Sequence, residues 1–414
     1  MVLITEKIKI QKKSQMQFKN IISSTKSIKI FDLGMHPYAD TFIKKKNLHK
    51  NEPVFPLQCY LNPKTGFIFN KIITSSHDRY NLFDYSYTSS NSSYSREYWK
   101  STYENIRNKI LKKDDKILEI GSNDGYLCKQ FQNNGYKIYG VDASKRMSEI
   151  ANKSKIKTFN LIFDNKNSKI IKKKTGKFDV VIANNVLNHS NEPFEFVNSV
   201  ENILNKKGYF IFEVPYWLNL VKKKQFDQIY HEHINYFTIK SIQYLLKKTK
   251  LSITSVENTE YHGGSLRVFC QKNIIKNNDI IKKFLKDEKK YKLFEPSTYR
   301  KIMNELKIKK YRFIKKIIEI KLSKHKVIGI GAAAKANTMI NFLKLDNNTI
   351  DYITDISAHK ISKYTPLSRI PIVHDKILKK FKEKVYVLIL SWNISKILIK
   401  KIRNLNKNIV FIKF

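Results

Sequence analysis

Cysteine, proline and glycine are scarce in this chain, and long apolar runs are missing. Its 414 residues include three Cys, nine Pro and twelve Gly. Three widely spaced cysteines, Cys59, Cys128 and Cys270, can form neither a disulfide framework nor a zinc site of four thiolates. The low glycine and proline content excludes collagen-like and low-complexity chains. No apolar run reaches the roughly 18–20 residues that span a bilayer, and the N-terminus lacks a signal-peptide core, so we expect a cytoplasmic protein with no membrane partner.

Acidic residues are also few, with Asp+Glu 35 against Lys+Arg 79, which gives a formal net charge of +44. Only nine of the basic residues are Arg, the residue that best recognises phosphates and guanines. The lysines are scattered among Ile and Asn along the whole chain, so we interpret them as solvated basic faces and expect no nucleic-acid partner. Such a field would still attract an anionic small molecule. A hydrophobic content of 42% excludes a disordered polyelectrolyte.

The apolar pattern divides the chain into three parts. Short alternating runs in the first 75 residues predict a small β-rich module, followed by a polar, Tyr-rich loop over 76–98. Apolar runs then alternate with helical segments, which predicts a parallel, doubly wound sheet. Its strands are expected at 116–121, 137–144, 178–185 and 208–216. A Lys-rich helical connector, about 273–325, leads to a second, smaller α/β unit that begins at 326–344 and adds strands at 351–357 and 385–392.

The segment EIGSNDG, residues 119–125, follows the first of these strands and opens a helix. Free backbone N–H groups at a helix start favour a carboxylate or phosphate, and Asp142 after the next strand can accept hydrogen bonds from ribose. The glycine spacing is not GxGxxG, so a dinucleotide is the weaker interpretation, S-adenosylmethionine fits better, and a βα turn without a ligand is the alternative. The residues predicted to contact the cofactor are Glu119, Gly121, Asn123, Gly125, Asp142 and Asn184.

The segment IYHEHINYFT, residues 229–238, carries Tyr230, His231, Glu232 and His233. It lies beyond a predicted strand end, where open α/β sheets place ligands. The spacing is not HExxH and no third ligand is nearby, so we predict no metal; one His with an orienting Glu suffices for acid–base chemistry. A His-rich surface loop is the alternative.

Two further segments are weaker signals. EYHGGSLRVFC, residues 260–270, contains His262 and Arg267 and reads most simply as a hairpin turn. GIGAAAKAN, residues 329–337, offers Gly331 and Lys335 as an anion cradle, with Asp355 after the next strand in the same relation as Asp142 to its turn. A turn kept for packing is the alternative for this segment.

Taken in order along the chain, these segments resemble the deoxysugar C-methyltransferases, which use S-adenosylmethionine to methylate a ring carbon of a nucleotide-linked 4-keto sugar. The resemblance runs nearly end to end and is carried by FDLGMHPYADTFI, GSNDG, VLNH, YHEHINYF, HGGSLRV, GAAAKANTMIN and HKISKYTPLSRIPI. It implies an α/β protein with a Rossmann-like class I methyltransferase core at 76–272. A small N-terminal module at 1–75 and a Rossmann-like C-terminal domain at 273–414, which contributes to sugar-nucleotide binding, would flank that core.

The resemblance also implies roles for individual residues. His233 would be the base, Glu232 would orient the substrate or tune that His, and Tyr230 would bond near the keto oxygen. His189 would donate to the enolate or hold the sugar. The residues implied to bind the substrate are Tyr85 or Tyr87, between which the sequence does not choose, and His262, Arg267, Gly331, Lys335 and Asn337.

One departure concerns zinc. The family's N-terminal module usually binds structural zinc through two Cys pairs, but here Asn62 and Thr65 stand where the second pair should fall, and the first pair is absent. Neither side chain replaces a thiolate, so we expect no zinc.

The competing functions are an O- or N-methyltransferase and a non-catalytic protein that binds nucleotides or nucleic acid. A monomer is the expected state.

Overall fold

The computed structural model describes residues 27–72, 74–75, 79, 88–274 and 279–414. The N-terminal part is a small antiparallel sheet with strand order β1-β3-β4. Its strands, together with a short one that lies outside this sheet, are β1 (Ile28–His36), β2 (Ile43–Lys44), β3 (Phe55–Leu61) and β4 (Ile68–Asn70). Alternate side chains of β3, at Leu57, Cys59 and Leu61, are fully buried, which is the period-2 pattern that predicted strands here.

The turn between β3 and β4 contains the two residues that replace the expected cysteines. Asn62 Oδ1 accepts a hydrogen bond from the Thr65 amide at 3.1 Å, and Thr65 Oγ1 accepts one from the Phe67 amide at 3.3 Å. The Cys59 thiol donates to Asn70 Oδ1 at 3.1 Å. Within the described ranges, no group of three or more His, Cys, Asp or Glu is placed to hold a metal ion. Side-chain hydrogen bonds thus close this turn.

The central sheet has seven strands in the order β11-β12-β9-β8-β5-β6-β7. The strands of this part of the chain are β5 (Lys116–Ile120), β6 (Lys137–Asp142), β7 (Thr158–Asn160), β8 (Phe178–Asn184), β9 (Leu204–Pro215), β10 (Asn235–Tyr236), β11 (Leu251–Thr259) and β12 (Ser265–Lys272). The helices are α1 (Ser93–Lys109), α2 (Tyr126–Asn133), α3 (Lys145–Lys153), α4 (Asn165–Thr175), α5 (Pro193–Ile203), α6 (Trp217–Lys223) and α7 (Ile239–Leu246).

Five of these strands, β5 to β9, are parallel, as the sequence predicted, but the sheet as a whole is mixed. β12 runs antiparallel to both β9 and β11. The short connection of residues 260–264 explains the pairing with β11, because a tight turn can join only antiparallel neighbours. The hairpin interpretation of the HGG segment is therefore confirmed.

β10 leaves the central unit and joins the N-terminal sheet, pairing Asn235 with Phe69 and Tyr236 with Ile68. Because β10 follows His233 almost directly, the N-terminal sheet anchors the segment that carries the predicted base. Sequence periodicity could not show this pairing, since β10 is only two residues long.

The Lys-rich region folds into two helices, α8 (Asp279–Lys290) and α9 (Pro296–Leu322). α9 is more than the expected connector, because Tyr299 is fully buried and its hydroxyl accepts a hydrogen bond from Trp217 Nε1 at 2.9 Å. The Tyr299 ring also packs edge-on against Phe31 of β1, with centroids 5.7 Å apart. α9 therefore joins the N-terminal and central units in one core.

No helix in the described residues is long and apolar enough to cross a membrane.

The C-terminal unit is a five-stranded parallel sheet with the order β16-β14-β13-β17-β18. Its elements are β13 (Lys326–Ile330), α10 (Ala334–Leu343), β14 (Tyr352–Asp355), β15 (Lys363–Tyr364), β16 (Ile372–His374), β17 (Val385–Ile389), α11 (Ser395–Leu405) and β18 (Ile409–Ile412). β15 pairs with β2 of the N-terminal part. The second α/β unit predicted from the sequence is present, and the pairing of β15 with β2 joins it to the N-terminal part.

Candidate active site

A cavity of about 710 Å³ lies between the central and C-terminal sheets. Both sheets direct the carboxyl ends of their parallel strands toward it. Gly121, Asp142 and Asn184 line it from the central sheet, and Gly331 and Asp355 line it from the C-terminal sheet. In open α/β sheets, ligands bind at these strand ends. The fold thus places the segments 119–125 and 329–337 on opposite sides of one cavity.

The two glycines of the first turn have different neighbours. Gly121 has φ 70°, and an added Cβ would lie 2.3 Å from Cγ2 of Val186, so this position requires glycine. Gly125 also has positive φ, but it packs against Ala151 and Ile156 instead of lining the cavity. The cofactor contact predicted for Gly125 is therefore not supported by its position, which serves the packing of α2 against α3.

Asp142 lies at the end of β6, and backbone groups hold its carboxylate. Oδ2 accepts from the Asn123 amide and Oδ1 from the Ser144 amide, both at 2.8 Å. Burial raises the pKa of Asp142 to about 6. A carboxylate oxygen has two lone pairs, so each can still accept a hydrogen bond from a ligand hydroxyl.

Glu119 is a buried acid in the cavity wall. Its Oε2 accepts a hydrogen bond from the Cys128 thiol at 2.9 Å. Burial, with the nearby negative charges of Asp124 and Asp142, raises the pKa of Glu119 to about 8. Glu119 therefore holds a proton at neutral pH and can act as a hydrogen-bond donor.

A segment of consecutive serines closes over the first turn. Asn123 Oδ1 accepts from the Ser89 amide at 2.8 Å, so the predicted cofactor residue Asn123 also anchors this segment. The Asp124 carboxylate accepts from the Ser90 amide at 3.1 Å and from the hydroxyls of Ser89 and Ser90. Sequence reasoning missed Asp124 and the serines, although an acid in the turn opposite a Ser pair was a visible signal. Tyr85 and Tyr87 lie outside the described residues.

Several buried polar atoms in the cavity wall have no hydrogen-bond partner among the described residues. They are Trp99 Nε1, Ser122 Oγ and both amide atoms of Asn184 and of Asn185. Buried polar groups are nearly always hydrogen-bonded, so these atoms indicate where a polar ligand binds. A donor and acceptor set of this kind, beside the Gly121 turn and Asp142, fits the amino-acid and ribose groups of S-adenosylmethionine.

His233 is held in one tautomer. Its Nδ1 lies 3.0 Å from the backbone carbonyl of Gln228, and a carbonyl can only accept, so Nδ1 carries the proton. Nε2 therefore accepts from the Tyr230 hydroxyl, 2.5 Å away. His233 and Tyr230 both line the cavity, and Nε2 is the ring nitrogen with a lone pair.

His189 lies beside this pair, with its ring centroid 4.9 Å from that of His233. Its Nδ1 donates to the Glu232 carbonyl at 2.6 Å. Burial, together with the positive charge of Arg79, lowers the pKa of His189 to about 4. A neutral His189 with its proton on Nδ1 can accept a hydrogen bond at Nε2 but cannot donate one there. The donor role predicted for His189 therefore does not fit, whereas holding a sugar hydroxyl does.

Arg79 is a cavity residue that sequence reasoning missed. It is 5% exposed and donates to the His189 carbonyl at 2.9 Å and to Asn191 Oδ1 at 2.8 Å. Two further donors reach the carbonyl and hydroxyl of Thr74, both at 2.9 Å. Arg79 therefore fixes the turn that carries His189.

The other two residues of the YHEH segment have separate surroundings. Glu232 Oε1 accepts from the Asp40 amide at 3.0 Å, Oε2 has no partner among the described residues, and burial raises the pKa of Glu232 to about 7. Glu232 lines the cavity, which supports contact with substrate, whereas the ring of His233 is oriented by Gln228. His231 is fully buried and bonds to the Phe55 carbonyl at 3.3 Å.

The turn after β13 repeats the arrangement seen at Asp142. Asp355 Oδ2 accepts from the Ala332 amide and Oδ1 from the Ser357 amide, both at 2.8 Å. Gly331 has φ 93°, and an added Cβ would lie 2.1 Å from Ser391 Oγ. The parallel between Asp355 and Asp142 that the sequence suggested is thus present in the structure.

Three lysines of the C-terminal unit line the cavity. Lys360 Nζ donates to the Ala332 carbonyl at 2.7 Å, and Lys401 Nζ bonds to Asp375 at 2.6 Å. Lys335 is 8% exposed, and burial lowers its pKa to about 8 although Asp227 opposes the shift. The C-terminal side of the cavity is therefore rich in cationic groups, while Glu119 and Asp142 line the other side.

Two predicted substrate residues lie outside the cavity wall. Arg267 is 4% exposed and bonds to Glu213 at 3.0 Å and to Thr102 Oγ1 at 2.7 Å, within the interface of α1, β9 and β12. Asn337 Nδ2 donates to the Ala39 carbonyl at 2.6 Å and thereby joins α10 to the N-terminal part. The Arg267 guanidinium and the Asn337 amide nitrogen are thus bonded to internal partners, and a role for either residue in substrate binding stays a prediction. The side chain of His262 is outside the described part of the structure.

Most of the chain matches known protein families. Residues 93–256 match the family described as methyltransferase domain, and residues 260–412 match the C-methyltransferase C-terminal domain. The C-methyltransferase NovU of Streptomyces niveus is 27% identical over 281 residues, which is 67% of each chain. These matches confirm the Rossmann-like methyltransferase core and the cofactor, S-adenosylmethionine, that the sequence predicted.

Solved structures also resemble part of the chain. One is magnesium protoporphyrin IX methyltransferase from Synechocystis PCC 6803 with bound SAH, which is 16% identical with a TM-score of 0.36 and covers 43% of this chain and 83% of that one. Another is the plantazolicin methyltransferase BpumL with SAH, which is 12% identical with a TM-score of 0.34 and covers 42% of this chain and 82% of that one.

Proposed function

We propose that this chain, which belongs to the S-adenosylmethionine-dependent C-methyltransferases, methylates a ring carbon of a nucleotide-linked 4-keto-deoxysugar. The observation that carries the proposal is the state of His233. Its Nδ1 donates to the Gln228 carbonyl, its Nε2, which carries the basic lone pair, accepts from the Tyr230 hydroxyl, and it lines a cavity between the cofactor turn and a wall that carries three lysines. These are the features that a base needs to remove a proton from carbon.

Forming a carbon nucleophile requires both a base and a stabilised enolate. A hydrogen beside a ketone is a weak acid, so negative charge on the oxygen must be stabilised as the proton leaves. In the proposed reaction the proton moves from the ring carbon to Nε2 of His233. The Tyr230 hydroxyl, which now points at Nε2, turns to donate to the developing enolate oxygen. S-adenosylmethionine, when bound, supplies the electrophilic methyl group that the enolate carbon attacks.

Neighbouring groups would hold the sugar. Neutral His189 can accept a hydrogen bond from a sugar hydroxyl, and Oε2 of Glu232, which has no partner among the described residues, can do the same or donate when protonated. Arg79 keeps the His189 turn in place through its bond to the backbone. These groups surround His233, so the substrate carbon and the base would share one end of the cavity.

The C-terminal lysines would hold the diphosphate of the nucleotide. A buried ammonium such as that of Lys335 is poorly solvated, and an anionic ligand restores much of the lost stabilisation. Lys360 and Lys401 add charge nearby, and Asp355 can accept from ribose as Asp142 does on the cofactor side. The nucleotide would thus lie on the C-terminal unit with its sugar extending toward His233.

Replacing the base tests the proposal. His233→Asn should lower methyl transfer by about 10²–10⁴-fold, the usual contribution of a general base, and should leave the affinity for S-adenosylhomocysteine unchanged. The assay measures transfer to dTDP- and GDP-linked 4-keto-6-deoxy sugars, with product NMR to locate the methyl group. His325→Asn is a matched control, because His325 packs on Tyr386 away from the cavity.

Two results would contradict the proposal. Undiminished turnover in His233→Asn would remove His233 as the base. An O–CH₃ or N–CH₃ product in place of C–CH₃ would show that the enolate chemistry is wrong, even if the cofactor is used.

A further inference from the structure

The ring of His233 is oriented by a short turn that belongs to the central unit. His233 Nδ1 donates to the carbonyl of Gln228, the last residue of the 3₁₀ turn Phe226–Gln228. This carbonyl determines which ring nitrogen carries the proton. Whatever holds the turn therefore sets the state of the proposed base.

The C-terminal unit holds that turn. The Phe226 ring packs on Phe342 of α10, with centroids 4.6 Å apart, and on Phe414 at 5.7 Å. The carboxylate of Asp227, which is 2% exposed, accepts a hydrogen bond from Trp392 Nε1. Two consecutive side chains of the turn are thus bound to residues more than a hundred positions later.

Trp392 is itself enclosed from two sides. Its ring occupies the space beside Gly263, where an added Cβ would lie 2.3 Å from the indole, and Lys223 Nζ bonds to the Gly263 carbonyl at 2.8 Å. The Lys335 ammonium lies 5.0 Å from the ring centroid. The indole N–H is therefore presented to Asp227 in one direction, and the glycine of the HGG segment makes room for it.

We propose that Trp392 and Asp227 are positioning residues through which the C-terminal unit orients His233. The proposal rests on the proposed function only in naming His233 as the base. Without the indole donor, the buried Asp227 carboxylate loses a charge-assisted hydrogen bond and is left with the attraction of Lys335, so its burial becomes less favourable. The turn then moves to hydrate Asp227 and carries the Gln228 carbonyl away from Nδ1. His233 is left without the acceptor that selects its tautomer.

Trp392→Phe tests this, because it removes the N–H and keeps an aromatic ring. The first readout is long-range ¹H–¹⁵N NMR of the His233 ring in the ligand-free full chain, assigned by comparison with His233→Asn. The wild type should show the Nδ1–H tautomer, and Trp392→Phe should show a mixture of both tautomers.

The second readout isolates the proton-transfer step. We expect deuterium exchange from D₂O at the carbon next to the ketone of dTDP-4-keto-6-deoxyglucose, with S-adenosylhomocysteine present, to fall about 10²-fold in Trp392→Phe, the scale expected for a misplaced catalytic group. The KM for the sugar nucleotide should change little. Asp227→Asn, which keeps an acceptor oxygen, should lose less than Asp227→Leu.

Tyr299→Phe is the matched control, since it also removes a buried inter-unit hydrogen bond, from Trp217, but lies on α9 away from the turn. It should lower the melting temperature and leave the His233 tautomer and exchange rate unchanged. A wild-type tautomer and exchange rate in Trp392→Phe would overturn the positioning role. Full exchange in His233→Asn would instead overturn the proposed base, while the tautomer measurement would still decide whether Trp392 orients the ring.

Discussion

At the scale of single residues, two buried carboxyl groups, those of Glu119 and Asp142, line the cofactor side of the cavity. Burial raises the pKa of both, to about 8 for Glu119 and about 6 for Asp142. The folded chain therefore binds protons that the unfolded chain releases. The stabilisation that Glu119 contributes is complete below its unfolded pKa of 4.5 and is lost as the pH rises through about 8.

This predicts a pH dependence of stability. The free energy of unfolding should fall as the pH rises from 5 to 8, with a slope for Glu119 alone of at most about 1.4 kcal/mol per pH unit. Glu119→Gln should flatten that slope because its amide does not titrate. Urea unfolding of both proteins at several pH values measures the difference, and parallel curves would show that Glu119 titrates normally.

Asp142 carries a prediction about the cofactor. Asp142→Ala leaves the amides of Asn123 and Ser144 without their acceptor and removes the candidate ribose contact, so we expect S-adenosylhomocysteine affinity to fall roughly 10–100-fold, as for a lost charged hydrogen bond. Calorimetry measures the dissociation constant. Asp179→Ala is the control, because Asp179 also accepts from a backbone amide, that of Lys116, at the far end of β5. An unchanged constant in Asp142→Ala would refute the role.

At the scale of an element, the turn between β3 and β4 is closed by side-chain hydrogen bonds at the positions where cysteines were expected. Its Asn62 and Thr65 side chains accept backbone hydrogen bonds inside the turn. We predict that EDTA leaves the melting temperature unchanged, whereas Asn62→Ala and Thr65→Ala each lower the free energy of unfolding by about 1 kcal/mol. Differential scanning calorimetry measures both effects, and a drop in melting temperature with EDTA that zinc reverses would contradict the expectation.

The elements also show which features the sequence could predict and which it could not. Strands β5, β6, β8 and β13 were visible as apolar runs because both of their faces are buried. β10 could not be predicted from the sequence, because two residues are too few to show an alternation of apolar and polar side chains. The strand is defined by its pairing with β4. The sequence predicted that Arg267 binds substrate, because it could not show that the ion-pair partner of Arg267, Glu213, lies on the neighbouring strand β9.

At the scale of the whole molecule, two α/β units present opposite chemistry to one cavity. The central unit contributes the Asp142 carboxylate, since Glu119 is protonated at neutral pH, and the C-terminal unit contributes Lys335, Lys360 and Lys401, of which Lys401 is paired with Asp375. A cationic cofactor and an anionic sugar nucleotide would each find complementary charge on its own side. The two ligands should therefore respond to different substitutions.

Lys335→Met tests that separation. We expect it to weaken the binding of dTDP or GDP about tenfold or more, the size of a lost charged hydrogen bond, and to leave S-adenosylhomocysteine binding unchanged. Lys326→Met is the control, because Lys326 pairs with Asp351 at the opposite end of β13. Calorimetry with each ligand decides, and equal nucleotide affinity in Lys335→Met and Lys326→Met would contradict the assignment of Lys335.

The sequence by itself determined the alternation of strands and helices, the two glycine turns with their following acids, and the YHEH segment, because these features depend on local periodicity and on residue types at short spacing. Tertiary structure alone decided which side chains meet. The tautomer of His233 depends on the Gln228 carbonyl, whose turn is bound by Trp392, and the neutral state of His189 depends on burial beside Arg79. Hydrogen-bond partners and solvent exclusion are properties of packing between distant segments, and no local pattern encodes them.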